Sequence, residues 1–367
     1  VMIDDMNLEK SKEKKMAHYV YPGSFCPPTL GHLRIVERAA KLVPQLTIVC
    51  STNEQKIDRW FSKEECRQMW LGYQLPKNVS VKTFAELCGS IHDTEYVMVR
   101  GIRNAEDYDH EKAVMELNRN KFGITNYLYL IAEPELAEIS SSLARTKAAT
   151  LSLETLHKYV APIVITRLLE HALQINNLIM VVGKPASGKT TFLRMIKEIH
   201  PRNVVIETDK WNDSFKPFLR ERFKCEDLVS LALERDQEVS DTLKDVWLKK
   251  IKKSLEKVTE GSNVFIEAAY GLSPIKSLFR FLGGKVLYLG CENDEINKQR
   301  MISRGTPALI PFLDRIPGLE KSRHIARENK LSLRIVNTLC EKQKLKEKAQ
   351  ILSAIIHLNN WEEDADI

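Results

Sequence analysis

A run near the start of the chain carries side chains suited to phosphate chemistry: Gly23-Ser24-Phe25-Cys26-Pro27-Pro28-Thr29-Leu30-Gly31-His32. A strand-like segment at residues 17–21 precedes the run, and apolar residues at helical spacing follow it, so we expect a turn from a strand into a helix. The first N–H groups of a helix lack partners within the helix and carry partial positive charge, which favours a phosphate. His32 would donate to phosphate oxygens there, although a histidine at this position could instead merely cover the helix end.

A second run has the spacing G-x-x-x-x-G-K-T: Gly183-Lys184-Pro185-Ala186-Ser187-Gly188-Lys189-Thr190, with Thr191 next to it. It lies between a strand-like segment and a helical one. This pattern is typical of a loop that curls around the β-phosphate of ATP or GTP. Lys189 would supply positive charge, and the Thr190 hydroxyl suits Mg²⁺.

Further along the chain, several charged residues follow strand-like segments. Asp209 is placed to activate an acceptor hydroxyl or to order magnesium, and Glu207 and Glu267 end strands where carboxylates often hold metal or water. Each could equally cap a helix. Arg300 and Arg304 resemble the lid arginines of small-molecule kinases, with a solvated helix face as the alternative.

Two series of strand-like segments alternate with helical stretches. The first lies at residues 17–21, 46–50, 79–84, 96–100 and 127–131, and the second at residues 178–182, 204–207, 264–267 and 285–289, with a long helix over 234–257. Alternation of this kind predicts an α/β protein with two doubly wound parallel-sheet domains, and the Gly183–Thr190 pattern predicts a P-loop NTPase or kinase fold for the second. The expected domains are a charged tail (1–17), a first domain (18–175) ending in a helix over 161–173, a second domain (176–358), charged and helical over 319–356, and a frayed acidic tail (359–367).

Composition limits the classes of function. The chain has 367 residues, 43% of them hydrophobic and 28% charged, with a net charge of +6. No apolar run approaches the roughly 20 residues of a membrane span, so we expect no membrane association and a cytoplasmic location. Basic residues alternate with acidic ones, which favours anionic small substrates over nucleic acid. The seven cysteines show no metal-type spacing and are interpreted as reduced thiols.

Three separated segments of the first half resemble phosphopantetheine adenylyltransferases. They are residues 21–32, then Arg100-Gly101-Ile102-Arg103 with Asp107, Tyr108, Glu111 and Asn118, then Ile139-Ser140-Ser141-Ser142-Leu143-Ala144-Arg145. The resemblance covers roughly residues 18–175 and implies a Rossmann-like nucleotidylyltransferase. In that family the phosphate of 4′-phosphopantetheine attacks the α-phosphorus of ATP, giving dephospho-CoA and pyrophosphate, with Mg²⁺ assisting. Because the nucleophile is already an anion, no general base is required.

The resemblance also implies roles for individual residues. His32, Lys56 and Arg100 would be catalytic, and Asp209 is the corresponding candidate in the second half. ATP would be held by Ser24, Phe25, His32, Gly101, Arg103, Glu111, Ser140, Ser141, Ser142 and Arg145. Phosphopantetheine would be held by Ser24, Lys56, Leu87, Arg100 and Asn118. The chain departs from the family at Cys26, where an aspartate is usual, and at Lys56, which stands about one residue out of register.

For the second half, residues 205–209 are similar to the Asp-x-Asp element of dephospho-CoA kinases, and the two halves follow the order of bifunctional CoA synthase. The leading interpretation is therefore an adenylyltransferase joined to an ATP-dependent kinase, with dephospho-CoA as a candidate acceptor and CoA as the product. Two alternatives stay open: a nucleotide-sensing module without an acceptor, and a nicotinamide mononucleotide adenylyltransferase joined to a ribosylnicotinamide kinase. The block from Arg100 to Asn118 favours the pantetheine enzymes over the latter. Stand-alone relatives are typically hexameric, so a homo-oligomer is a further expectation.

Overall fold

The computed structural model describes residues 17–51, 59–88, 95–267, 280–291 and 293–358, together with Trp361 and Ile367. These residues divide into two compact units. The first takes in the described residues up to Cys26, then Gly31–Leu71 and Leu75–Glu138. The second takes in Pro27–Leu30, Gly72–Gln74 and the described residues from Ile139 onward.

The first unit contains a parallel sheet. Its strands are β1 (Ala17–Gly23), β2 (Leu46–Cys50), β3 (Val79–Thr83), β4 (Glu95–Ile102) and β5 (Asn126–Ile131), in the order β3-β2-β1-β4-β5. Tyr19 lies opposite Leu46, and Val20 lies opposite Met98, which fixes the register of the central strand. The helices are α1 (Leu30–Ala40), α2 (Lys63–Leu71), α3 (Phe84–Cys88) and α4 (Ala105–Phe122). The first series of predicted strands is thus confirmed.

The second unit contains another parallel sheet, in the order β10-β9-β6-β8-β7. The strands are β6 (Asn177–Val182), β7 (Val204–Glu207), β8 (Asn263–Glu267), β9 (Lys285–Gly290) and β10 (Ser332–Asn337). The helices are α5 (Ser141–Ala149), α6 (Leu153–Leu156), α7 (Pro162–Leu173), α8 (Lys189–Ile199), α9 (Asn212–Phe223), α10 (Leu228–Leu255), α11 (Asp294–Ser303), α12 (Leu319–Glu328) and α13 (Lys342–His357). Two parallel-sheet α/β domains are therefore present, as the alternation predicts.

Each sheet is covered by helices that bury one apolar face. In the first unit α1 buries Ile35, Val36 and Ala39, and in the second α8 buries Phe192 and Ile196. Burial of such a face supplies most of the stability of a helix of this length. No helix in the described part of the chain is both long and apolar enough to cross a membrane.

Helix α7, which the sequence places at the end of the first domain, packs within the second unit. The hydroxyl of Thr166 accepts from the N–H of Gly284 (2.7 Å), and the carboxylate of Glu170 pairs with the buried ammonium of Lys285 (2.7 Å). At Gly283, where φ is +109°, a Cβ atom would lie 1.9 Å from the Thr166 hydroxyl, so glycine is required at this close approach. These contacts join α7 to the second sheet, and residues from Ile139 onward belong to the second unit.

Strand β10 was not expected, because the charged pattern over residues 319–356 predicts helix. Its Leu333, Ile335 and Val336 are buried, but Arg334 interrupts the apolar run. The guanidinium of Arg334 is itself 2% exposed and lies 5.6 Å from the ring of Trp361, a cation–π contact that allows a charge inside the strand. Instead of fraying, Trp361 is 1% exposed, and the N–H of Ile367 donates to Ile335.

His157, which follows α6, gives a pH-dependent test of the packing in the second unit. Its ring lies edge-on to that of Phe281, with centroids 5.4 Å apart. Burial, followed by the positive charge of Arg280, lowers the pKa of His157 to about 4. Between that value and the ordinary one of about 6.5, the unfolded chain binds a proton that the folded chain does not. The free energy of unfolding should therefore fall as pH is lowered through this window.

We expect His157→Gln to lose less stability than the unaltered chain between about pH 7 and about pH 5, measured by urea unfolding. His324→Gln, at an exposed position, should keep the full loss. Equal losses in the His157 variant and the unaltered chain would contradict this account.

Candidate functional sites

The first candidate site begins where β1 ends and α1 starts. His32 lies half-buried in the first turn of α1, and no acidic residue stands in that turn to neutralise the positive end of the helix dipole. The N–H of Leu30 is bonded to the carbonyl of Tyr159 (2.8 Å). The turn thus places the His32 ring beside a helix N-terminus whose partial positive charge no acidic side chain of the first turn opposes.

Phe25 lies beneath the His32 ring. Its side chain is 3% exposed and makes edge contacts with the rings of His32 (centroids 5.1 Å apart) and Trp70 (5.2 Å). Its φ of +40° is unusual for a bulky residue and marks a tight turn. A Cβ atom on Gly23 would lie 2.6 Å from the Phe25 ring, so the glycine makes room for it. The predicted role of Phe25 at the nucleotide stays a prediction; the observed contact is one that orients His32.

Cys26 stands at the position where the resembling family has an aspartate. Its side chain is buried, and its thiol lies 3.7 Å from the carbonyl of Phe61. A hydrogen bond from Cys26, together with burial, raises the pKa of the Cys66 thiol. A buried thiol thus stands where the family resemblance implies a carboxylate.

Arg100 and Glu111 form a buried ion pair between β4 and α4. The Nε atom of Arg100 donates to Glu111 Oε2 (2.7 Å), its Nη2 atom donates to the other carboxylate oxygen, and its Nη1 atom donates to the carbonyl of Pro22 (2.9 Å). Burial opposes the charge on Arg100, yet the hydrogen bonds and charge of Glu111 raise its pKa above the ordinary value. At Gly101 a Cβ atom would lie 3.1 Å from the side chain of Ile35, so α1 packs closely on β4 here. The guanidinium is fixed in direction as well as in charge.

Arg103 is held more loosely than Arg100. It pairs with Asp107 one helical turn away (Nε to Oδ2, 2.7 Å), and Asn104 caps α4 by accepting from the N–H of Asp107. The Arg103 side chain is 44% exposed. Because exposed ion pairs are worth only about 0–1 kcal/mol, this guanidinium can turn toward a ligand at little cost.

Four further predicted positions in this half differ in their surroundings. Leu87 on α3 is buried with Val20 in a small apolar cluster, and the side-chain amide of Asn118 donates to the hydroxyl of Tyr127 (3.1 Å). Ser24 is half-buried in the loop after β1. Lys56 lies outside the described residues. The roles predicted for all four stay predictions.

The serine run starts α5 in the second unit. Ser140 is the N-cap, and its hydroxyl accepts from the N–H of Leu143 (3.1 Å). The Ser141 hydroxyl donates to the carbonyl of Pro27 (2.7 Å), and Arg145 donates to the hydroxyl of Ser142 (3.3 Å). The capping alternative is thus present, and it is compatible with anion binding because both use a helix N-terminus.

The second candidate site is the loop from Gly183 to Thr190, between the central strand β6 and α8. Gly183 has a φ of +150°, and a Cβ atom there would lie 2.1 Å from the carbonyl oxygen of Leu289, so no other residue fits. Gly188, with φ of +92°, and Ala186, with φ of +57°, complete the curl of the backbone. The loop thus leads directly into the N-terminus of α8.

Lys189 folds back over this loop. Its Nζ atom donates to the carbonyls of Gly183 and Lys184 (3.0 Å each), and burial lowers its pKa, with the carboxylates of Glu267 and Asp209 opposing that shift. Burial likewise raises the pKa of Glu267, which is 4% exposed at the end of β8, and Lys189 opposes this. A cavity of about 70 Å³ lies here, lined by Ala186, Ser187, Gly188, Lys189, Thr190, Thr191, Asp209, Glu267 and Arg304.

Helix α11 is fastened to the same loop. Lys184 pairs with Asp294 (Nζ to Oδ2, 2.7 Å), and Arg300 donates to the carbonyl of Ala186 (3.1 Å). Arg300 thus meets the loop backbone, and Arg304 meets the small cavity. Sequence reasoning named both arginines but missed Asp294, whose place directly after the N-cap Asn293 is the signal that could have found it.

Magnesium was predicted at Thr190. In the described part of the chain, no group of three or more histidine, cysteine, aspartate or glutamate side chains is placed to hold a metal ion. The Thr190 hydroxyl donates to Glu267 (3.4 Å). Hydroxyl and carboxylate oxygens are the ligands that Mg²⁺ prefers, and it usually keeps several waters, so these residues fit it.

The comparisons with known sequences cover the residues of the first site. Residues 20–147 match the cytidylyltransferase-like family. A phosphopantetheine adenylyltransferase of Bacteroides thetaiotaomicron is 33% identical over 134 residues, which is 35% of this chain and 87% of that protein. Another, of Neisseria meningitidis, is 30% identical over 158 residues, which is 41% of this chain and 92% of that protein. Over its N-terminal part, the chain belongs to the phosphopantetheine adenylyltransferase family.

Among solved structures, NadR protein in complex with NR covers 96% of this chain at 11% identity and a TM-score of 0.31. Nicotinic acid mononucleotide adenylyltransferase of Plasmodium falciparum, in complex with NaAD, covers 40% of this chain at 15% identity and a TM-score of 0.30. Both TM-scores are too low for either structure to bear on function. The second unit therefore has to be interpreted from its own residues.

The Arg100–Glu111 pair of the adenylyltransferase-family unit can be tested by removing one charge. We expect Glu111→Gln to lower the free energy of unfolding by about 1–3 kcal/mol in a urea titration, because it leaves the guanidinium of Arg100, whose side chain is 21% exposed, without its counter-charge. Glu116→Gln, at an exposed position of the same helix, is the matched control and should leave stability unchanged. Equal effects of the two substitutions would show that the pair carries no special weight.

Proposed function

We propose that the first unit transfers an adenylyl group from ATP to 4′-phosphopantetheine, giving dephospho-CoA and pyrophosphate. Membership in the phosphopantetheine adenylyltransferase family supports this proposal, because the relatives from Bacteroides and Neisseria are named for that activity. We further propose that the second unit is an ATP-dependent small-molecule kinase, with dephospho-CoA as a candidate acceptor. The Gly183–Thr190 loop supports this second part.

The residues of the first unit suit a reaction that needs positioning and charge neutralisation. A phosphate oxygen of the acceptor attacks the α-phosphorus of ATP, and the bond from that phosphorus to pyrophosphate breaks. The N-terminus of α1 and the His32 ring would stabilise negative charge as it develops on the phosphates. The His32 ring packs edge-to-face with the ring of Phe25. Arg100, fixed by Glu111 and Pro22, would bind a phosphate without first having to be ordered.

The other predicted residues complete this proposal. Arg103 would exchange its exposed pair with Asp107 for a phosphate, and Ser140, Ser141, Ser142 and Arg145 would bind the β- and γ-phosphates of ATP, as the family resemblance implies. Leu87, Asn118 and Lys56 would meet the phosphopantetheine. Because Cys26 replaces a carboxylate, the chain would have to dispense with that charge.

The first activity is tested with the full chain, ATP and magnesium, following pyrophosphate release. Pyrophosphate should appear with 4′-phosphopantetheine and not with nicotinamide mononucleotide. His32→Ala should lower the turnover number by at least about a hundredfold, the usual loss for one donor to a developing oxyanion. His18→Gln, at the opposite end of β1, should keep its activity. Equal release with both acceptors would refute the assignment.

In the second unit, the loop would curl around the β-phosphate of ATP. Lys189 would exchange its hydrogen bonds to the carbonyls of Gly183 and Lys184 for hydrogen bonds to phosphate oxygens. The exchange would be favourable because a charged phosphate oxygen is a stronger acceptor than a carbonyl. Thr190 and Glu267 would hold Mg²⁺, which neutralises phosphate charge when it is bound, and Asp209 would face the acceptor. Arg300 and Arg304 would approach the transferring phosphate from α11.

The second activity is tested in the same reaction by following ADP separately from pyrophosphate. We expect dephospho-CoA to stimulate ADP formation, and Lys189→Ala to abolish it while pyrophosphate release from 4′-phosphopantetheine continues. Lys197→Ala, at an exposed position of the same helix, is the matched control and should retain both products. If Lys189→Ala still forms ADP at the normal rate, the kinase assignment is wrong; if the unaltered chain binds ATP but forms no ADP, the sensing module is favoured.

A further inference from the structure

A second and larger cavity lies beside the small one at the Gly183–Thr190 loop. Its volume is about 320 Å³, at the lower end of the roughly 300–1,000 Å³ of small-molecule pockets. Its walls come from α10 and from the short 3-10 helix Pro307–Leu313. Asp209 lines both cavities, so one carboxylate stands at the place where the two meet.

The two cavities differ in chemistry. Lys189 and Arg304 line the small one, whereas Leu228, Val229, Ala232, Leu309 and Phe312 supply most of the wall of the large one. Among the described residues that line the large cavity, Asp209 is the one with an ionisable side chain. An anionic group placed there would meet a carboxylate and no cation, so it would be disfavoured. An apolar ring would bury its surface favourably.

We propose that the large cavity holds the acceptor of the phosphoryl transfer, and that this acceptor presents an uncharged, ring-bearing alcohol of about nucleoside size. The inference rests on the proposed kinase function. The acceptor hydroxyl oxygen forms a bond to the γ-phosphorus of ATP, the bond from that phosphorus to the departing ADP oxygen breaks, and the hydroxyl proton passes to the Asp209 carboxylate. A nucleoside with a charged extension, as in dephospho-CoA, enters with its adenosine end while the extension stays outside.

The test uses the full chain with ATP and magnesium and compares three acceptors: adenosine, dephospho-CoA and ribose 5-phosphate. We expect ADP formation with one or both compounds that present a nucleoside, and none with ribose 5-phosphate. Ala308→Phe, an exposed lining position, should raise the acceptor KM at least about tenfold. Ala354→Phe, on α13 and outside both cavities, is the matched control and should leave the KM unchanged.

Binding of a fluorescent ADP analogue distinguishes failure of this inference from failure of the proposed kinase. Loss of binding in Lys189→Ala but not in Ala308→Phe supports the placement of the two ligands in separate cavities. If the analogue does not bind the unaltered chain, the kinase proposal fails and the acceptor inference fails with it. If it binds normally, an unchanged KM in Ala308→Phe or stimulation by ribose 5-phosphate alone overturns the acceptor inference. Stimulation by none of the three compounds overturns the kinase proposal, and the acceptor inference with it.

Discussion

In a parallel sheet all strands end at the same edge, and both candidate sites depend on that constraint. In the first unit β1 and β4 end beside each other, which brings the turn before α1 next to Arg100. In the second unit β6 and β8 also end beside each other, which brings Lys189, at the start of α8, next to Glu267. Each central strand also needs a glycine at its end, because a Cβ atom would overlap the Phe25 ring at Gly23 and the Leu289 carbonyl at Gly183. These two close approaches fix the path of the backbone from each central strand into the helix that follows it.

The sequence predicts the elements better than it predicts the contacts between them. Strands such as β2 and β9 are short, continuous apolar runs, and their length distinguishes them from buried helices. Strand β10 is not predicted because it contains the charged Arg334. The ring of Trp361 stabilises this charge, and Trp361 is too distant in sequence for a local pattern to reveal the contact. The contact of Phe25 with His32 and the pairing of Lys184 with Asp294 likewise depend on tertiary packing, which is why motif reading found the residues but not what holds them.

The two sites hold their cations in different ways before any substrate binds. Arg100 has a full counter-charge in Glu111, so its direction is fixed and binding a phosphate does not require it to be ordered. Lys189 instead donates to two neutral carbonyls, and burial lowers its pKa. Under the proposed function, a phosphate oxygen would replace these carbonyls as the stronger acceptor. The carboxylates of Glu267 and Asp209, which oppose the lowering of the Lys189 pKa, already set the charge balance at the loop.

That charge balance also limits what the small cavity can accept. Lys189 and Arg304 are matched there by Asp209 and Glu267, so the lining carries no formal net charge when all four are ionised. A nucleoside triphosphate adds several negative charges to a partly buried space, which is costly unless a cation or a proton comes with it. Burial already raises the pKa of Glu267, the direction that favours a proton on it, whereas a divalent cation would favour the carboxylate. Under the proposed function a proton and Mg²⁺ would therefore compete for Glu267, and a nucleotide that arrives with its own Mg²⁺ would remove the need for the proton.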